Sequence, residues 1–218
     1  MCGIAGVIYL DGRGAAADEV EPMLTAITHR GPDQGAVIVN GMAALGNRRL
    51  AILDLSPAGA LPMTSHDGRY VLAYNGEIYN HRSLRAQVPS LRDVRWRSGS
   101  DAETIIELYR AEGAAMLDYL RGMFAFALWD SETRTLFAAR DRMGEKPFYF
   151  YHDHQIFAFA SEIKALLMHP RVPRRSRFER DTDMLPTYLS MGYFPAPETA
   201  FTFIRALQPG EMLVLRDG

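Results

Sequence analysis

Along the first ten residues the run Gly3-Ile4-Ala5-Gly6-Val7-Ile8-Tyr9-Leu10 is apolar throughout and ends at Asp11. It predicts a buried strand, because the run is too short to span a bilayer. From Asp18 the period changes: Val20, Met23, Leu24 and Ile27 recur at helical spacing, with Asp18 as the expected N-cap and Gly31-Pro32 as the stop. Two apolar runs, Ala36 to Val39 and Arg49 to Leu55, flank Asn40-Gly41 and predict an antiparallel hairpin. Tyr70 to Tyr74 predicts a further strand, followed by a polar turn at Asn75-Gly76-Glu77. Ala102, Ile105, Ile106 and Tyr109 set a helix from Asp101 to Glu112, capped by Ser100 or Asp101 and stopped by Gly113. Four short strands, Met123 to Trp129, Thr135 to Ala139, Pro147 to Tyr151 and Gln155 to Phe159, read as a meander. Its Phe124-Ala125-Phe126-Ala127-Leu128 run is apolar on both strand faces, so helices or a second sheet must cover each side. Ser161 to Leu167 reads as a short helix, Pro173 to Asp183 as a solvated loop, and Met184 to Met191 as helix again. The pattern is α+β.

At 218 residues the chain can bury one large core, and a single domain is the favoured reading. A formal net charge of -2 gives no electrostatic reason to expect nucleic acid or an anionic membrane as partner. The single cysteine excludes an intramolecular disulfide, and a cytoplasmic setting is expected. A lone cysteine is ordinarily a small buried hydrophobe. The position of Cys2 changes that expectation: removal of the initiator before a small residue would leave Cys2 with both a thiol and a free α-amine. The amine titrates near ~7.7–8.0 and the thiol near ~8.5, so nucleophile and base would share one residue.

Downstream motifs add weight. Cys2-Gly3-Ile4-Ala5-Gly6, Arg30-Gly31-Pro32-Asp33, Arg49-Leu50-Ala51-Ile52, Asn75-Gly76-Glu77-Ile78-Tyr79-Asn80 and Gly99-Ser100-Asp101 follow one another in order. Gly122-Met123-Phe124-Ala125-Phe126, Arg140-Asp141-Arg142-Met143-Gly144, Lys146-Pro147 and Ala160-Ser161-Glu162-Ile163-Lys164-Ala165-Leu166 continue the series. Together they resemble the class II glutamine amidotransferases, which are N-terminal-nucleophile hydrolases, and within them the glutaminase domain of asparagine synthetase. The resemblance implies a four-layer αββα sandwich of two antiparallel sheets over residues 1–218, with a core of about 2–170 and a connection from 171 to 218 toward a synthetase domain. It implies Cys2 as nucleophile and an oxyanion hole made by Asn75 and the Gly76 backbone N–H. Arg49 would bind the α-carboxylate of glutamine, Glu77 and Asp101 its α-ammonium, and Ile52 would line the same pocket.

Glutamine hydrolysis through a Cys2 thioester is therefore the expected activity, with ammonia supplied to asparagine synthesis from aspartate. The expected partners are L-glutamine and an ATP-dependent synthetase domain or subunit, with a homodimer as one option. ATP and Mg would serve that synthetase domain, and no cofactor or metal is expected in the glutaminase pocket. Amidation of another carboxylate, or a non-catalytic glutamine-binding domain if Met1 is retained, are the alternatives. Ser98-Gly99-Ser100-Asp101 lacks the second glycine of a pyrophosphate-binding loop, and His152-Asp153-His154 reads as a hairpin turn rather than a metal site. Arg140 to Pro147 is expected to be a structural connection with internal ion pairing. Asn47 stands where the family commonly has histidine, a change expected to alter hydrogen bonding near Arg49 and slow turnover.

Overall fold

The computed structural model describes residues 1–176 and 184–216. Alternation along β1 (Gly3–Tyr9) sorts its side chains into two cores. Ala5, Val7 and Tyr9 join Val20, Met23 and Leu24 of α1 (Ala17–Ala26), whereas Ile4 and Ile8 join Leu45, Val71 and Phe157. On β6 (Gly122–Asp130) the same alternation puts Phe124, Phe126 and Leu128 against Ile105 and Ile106 of α3 (Asp101–Glu112), and Ala125, Ala127 and Trp129 in the core shared with Ile4. Three cores stacked in this way require four layers, helix, sheet, sheet and helix.

One sheet runs β10-β8-β9-β1-β3-β2, where β2 is Gln34–Asn40, β3 Ala43–Arg49, β8 Tyr149–His152, β9 Ile156–Ala160 and β10 Ile204–Ala206. The other runs β11-β7-β6-β5-β4, where β4 is Met63–Thr64, β5 Tyr70–Ile78, β7 Thr135–Arg140 and β11 Met212–Arg216. Every paired neighbour is antiparallel. Between the sheets, Ala73, Ala125, Ala127 and Ala138 from one face Phe157 and Phe159 from the other, so small residues make room for large ones. The helices α1 and α4 (Ile163–Leu166) cover the first sheet; α2 (His81–Gln87) and α3 cover the second. The segment after residue 170 supplies an edge strand to each sheet, while α5 (Met184–Met191) buries none of its residues.

Several expectations are corrected. Ala16, not Asp18, precedes α1, and its N–H is satisfied by Glu19 Oε2 at 3.0 Å, which leaves Asp18 in the first turn where its charge suits the helix dipole. The hairpin after β2 returns at once through Ala43 to Arg49, so the apolar run from Leu50 to Leu55 is a loop. Asn75-Gly76-Glu77 is no turn: β5 continues through it to Ile78, paired with β6 at every residue. Gly76 is needed there because a Cβ would meet Met123 O at 2.3 Å and Phe124 Cα at 2.7 Å. The meander is split, with β6–β7 in one sheet and β8–β9 in the other. Its β8–β9 turn is held by Asp153, which accepts N–H bonds from Gln155 and Ile156 at 2.8 Å each. Helix α3 spans Asp101 to Glu112 as expected, with Ser100 as its side-chain cap and Gly113 at φ 57° behind it. Residues 177–183 of the expected solvated loop lie outside the described residues.

Candidate active site

The start of β1, the exit of β3, the middle of β5, the first turn of α3 and the loop before β8 converge on a cavity of about 110 Å³. Cys2, Arg49, Ile52, Asn75, Gly76, Glu77 and Asp101, all expected from sequence, line it together with Met1, Tyr74, Met123 and Lys146.

Anchors on three sides fix the N-terminal strand. Arg30 Nε donates to Cys2 O at 2.9 Å, Asn47 Nδ2 donates to Gly3 O at 3.2 Å, and Ser161 exchanges two bonds of 2.9 Å with Ile4. Arg30 is in turn held by Glu162 at 3.0 Å. The Cys2 sulfur receives the Leu50 N–H at 3.4 Å. Burial pushes the thiol up from its ordinary range, while the Leu50 N–H, the terminal ammonium and Arg49 pull it down; the net direction is up. Such a thiol is protonated at neutral pH and needs a base.

On β5 the backbone itself points at the cavity. Phe124, opposite Gly76, directs both its N–H and its C=O toward Asp141 on the far side of β6. Gly76 therefore belongs to a non-hydrogen-bonded pair, and its N–H points away from β6. Its neighbours of the same parity do likewise: Tyr74 N–H reaches Asn47 Oδ1 at 2.8 Å, and Ile78 N–H reaches Asp101 Oδ2 at 2.8 Å. Strand β4 pairs only with Val71 and Leu72, so it does not extend to Gly76. The Gly76 N–H is left facing the cavity between two satisfied neighbours. Beside it, Asn75 is 1% exposed and its Nδ2 has no partner among the described residues. An unpaired buried donor costs about 1–3 kcal/mol. Two donors side by side at a cavity wall, next to a thiol, have the chemistry to receive an anion.

Asp101 Oδ2 accepts from the Tyr74 hydroxyl at 2.6 Å as well as from Ile78 N–H, which ties α3 to β5 and leaves Oδ1 for a ligand. Arg85 fixes the approach to Asp101 by donating to the carbonyls of Ser98 and Ser100. Ser98-Gly99-Ser100 is thus a support for that carboxylate. Glu77 makes no side-chain hydrogen bond or ion pair among the described residues.

Arg49 is buried and donates through Nη2 to Leu53 O at 3.1 Å and Asp54 O at 2.6 Å, which curls the loop after β3 over the cavity. Asp54, at φ 49°, closes the loop by accepting from Gly99 N–H at 2.7 Å. Ile52 lies on this loop and is 68% exposed. Asn47 bridges the two sheets: its amide also donates to Tyr74 O at 2.9 Å, so one side chain fixes the distance between Gly3 and β5. Both of its amide hydrogens and its oxygen are engaged.

Lys146 was read as part of a structural connection, and sequence reasoning missed its place on the cavity wall. The expected ion pairing in that connection is absent among the described residues. Arg140 instead donates to the carbonyls of Lys146, Leu207 and Gly144, and the Asp141 carboxylate accepts N–H bonds from Phe124, Met143, Glu145 and Lys146. A dense polar turn that ends in a single lysine was the signal available.

The chain matches the model of the glutamine amidotransferase domain over residues 1–218. It is 41% identical over 174 residues to asparagine synthetase B (glutamine-hydrolyzing) of Escherichia coli, covering 77% of this chain and 30% of that protein. It is 35% identical over 225 residues to asparagine synthetase 3 (glutamine-hydrolyzing) of Bacillus subtilis, covering all of this chain and 35% of that protein. The chain thus spans about a third of the length of these relatives. Among solved structures, glutamine phosphoribosylpyrophosphate amidotransferase from Bacillus subtilis, complexed with ADP and GMP, shares the fold with a TM-score of 0.70 at 21% identity, covering 99% of this chain and 47% of that one. On this evidence the chain belongs to the glutamine amidotransferase domain family, related to the N-terminal regions of the glutamine-hydrolysing asparagine synthetases.

Proposed function

We propose that the mature chain begins at Cys2 and hydrolyses L-glutamine to glutamate and ammonia through a thioester. The observation that supports this most directly is the unpartnered donor pair, Asn75 Nδ2 and Gly76 N–H, at the wall that the Cys2 thiol shares. In the proposed reaction the α-amine of Cys2 takes the thiol proton, and the sulfur attacks the side-chain amide carbon of glutamine. The carbonyl oxygen becomes an oxyanion between Asn75 and Gly76. The ammonium then returns the proton to the departing nitrogen as the C–N bond breaks, releasing ammonia. Water, deprotonated by the same amine, cleaves the C–S bond and yields glutamate. Arg49 grips the α-carboxylate, Glu77 and Asp101 hold the α-ammonium, and Ile52 covers the bound amino acid.

The pocket's own chemistry needs only these side chains. In this reading the ammonia passes to a synthetase region, as the relatives' names as asparagine synthetases suggest, where ATP and Mg would support the amidation of aspartate. A reducing cytoplasm would keep the thiol active. Mass-verified protein lacking Met1 should form glutamate from glutamine, and Cys2→Ala should not. Full activity in protein that retains Met1 would overturn the mechanism. Transfer of amide-labelled nitrogen from glutamine to asparagine by a longer protein carrying the synthetase region tests the acceptor.

A further inference from the structure

Two cations stand on the cavity wall, and they are used differently. Arg49 is bonded to the Leu53 and Asp54 carbonyls. Lys146 is 6% exposed, yet its ammonium has no carboxylate or carbonyl partner among the described residues; its contact is the Met1 sulfur at 3.6 Å. Burying an ammonium without a counter-charge is expensive. The turn that presents it is nonetheless rigid, framed by Arg140 on its carbonyls and Asp141 on its N–H groups, including Lys146 N–H at 3.0 Å. That frame holds a charge where folding alone would not place one.

The Met1 sulfur also receives Arg30 Nη2 at 4.0 Å. Loss of Met1 would take this soft partner away and put a new α-amine in a cavity of about 110 Å³, with Lys146 across it. Glu77 from β5 and Asp101 from α3 also face this space, beside the neutral Tyr74 hydroxyl, and both carboxylates favour a charged amine. Arg30 from the segment after α1 is neutralised by Glu162, and Arg49 from β3 is tied to its loop. Lys146 from the β7–β8 connection opposes the two carboxylates together with Arg49, whose charge also acts on Cys2.

We propose that Lys146 is a positioning residue for the base: its charge on the cavity wall helps to keep the Cys2 α-amine unprotonated near neutral pH, so that the amine can take the thiol proton. The inference rests on the Cys2 mechanism above and adds a residue to it. A nearby cation disfavours the ammonium form, so removing the cation should raise the amine's pKa and move the acid limb of activity to higher pH.

The test is the pH profile of kcat/KM for glutamine in mass-verified protein lacking Met1, for wild type, Lys146→Met and Lys146→Arg, with Lys146→Gln as a second neutral variant should methionine disturb the turn. The acid limb should move up by roughly 0.5–1 pH in the neutral variants, the size expected for one nearby charge in a partly solvated site. That is a loss of roughly 3–10-fold below the limb with little change on the plateau. Arginine should restore the wild-type limb. An active wild type with an unmoved limb in both neutral variants would overturn the role of Lys146 while leaving the Cys2 mechanism standing. A raised KM with an unmoved limb would make Lys146 a substrate contact and overturn it equally. Glutaminase activity that survives Cys2→Ala would instead remove the mechanism on which the inference rests.

Discussion

The cavity has a strand wall and a loop wall. On the strand wall Asn75 and Gly76 lie in β5, paired with β6 along its whole length, and Asn47 and Asp101 bond the N–H groups on either side. On the loop wall Arg49 is the last residue of β3, and the chain beyond it is held by its guanidinium, by Asp33 accepting from Ala51 N–H at 2.9 Å, and by Asp54 on Gly99. Ile52 and Leu55 there are 68% and 76% exposed. Groups that must meet a transition state need fixed placement, and sheet backbone supplies it; groups that admit a substrate need an element able to move. Under the proposed function the oxyanion donors Asn75 and Gly76 therefore belong to the strand wall, whereas Arg49 and Ile52, which would grip and cover the substrate, belong to the loop wall.

Substitutions can break that division. Cys2→Ala, at the junction of the walls, should abolish glutaminase activity with the thermal midpoint little changed, and Cys2→Ser should be nearly as impaired because an alcohol is far less acidic than a thiol. Residual turnover near wild type in either would remove the nucleophile from the account. Asn75→Ala should lower kcat by roughly 10²–10³ with KM little affected. Equal losses in the affinity of a ground-state glutamine analogue would place Asn75 with recognition and erase the distinction. Arg49→Lys should act on the other parameter, since a point-charge ammonium cannot reproduce a two-pronged carboxylate contact. Its kcat/KM should fall by the equivalent of roughly 1.5–3 kcal/mol, mainly through KM. An unchanged specificity constant would put the Arg49 contact outside the bound substrate.

The smallest expected effect concerns the anchor behind both walls. Partial burial would raise the Glu162 carboxyl, but hydrogen bonds from Arg30, Lys164 and His29 outweigh it and hold the group down at about 2. In the unfolded chain it titrates near ~4.3. The folded pKa is the lower one, so the stabilisation is complete above ~4.3 and is lost as pH falls toward about 2. Chemical denaturation of Glu162→Gln should accordingly show a deficit at pH 7 that shrinks on acidification through this window. A deficit independent of pH would mean that the pair with Arg30 adds no charge-dependent stability.

The strand wall and the loop wall were not equally legible in the sequence. The helix from Asp101 to Glu112 was readable to the residue because its apolar period, cap and terminal glycine agree. The continuation of β5 through Asn75-Gly76 was not, since that dipeptide signals a turn unless a neighbouring strand fills the space, and β6 lies some fifty residues away in the chain. Leu50 to Leu55 looked like a strand because apolar content cannot tell an exposed loop over a cavity from a buried ladder. Helix α2 escaped altogether; its polar sequence, His81-Arg82-Ser83-Leu84-Arg85-Ala86-Gln87, buries only His81 and Leu84. Lys146 shows the same limit, for the cavity it lines is shared with Cys2, Asn75 and Asp101, all distant in sequence.

The central claim is that a free N-terminal Cys2 carries the glutamyl group. Acid quenching during turnover with glutamine, followed by intact-mass and peptide analysis, measures this directly. The account predicts protein without Met1 and a glutamyl mass added on Cys2, absent from Cys2→Ala. Protein that turns over glutamine while retaining Met1, or that carries the adduct on another residue, would contradict it.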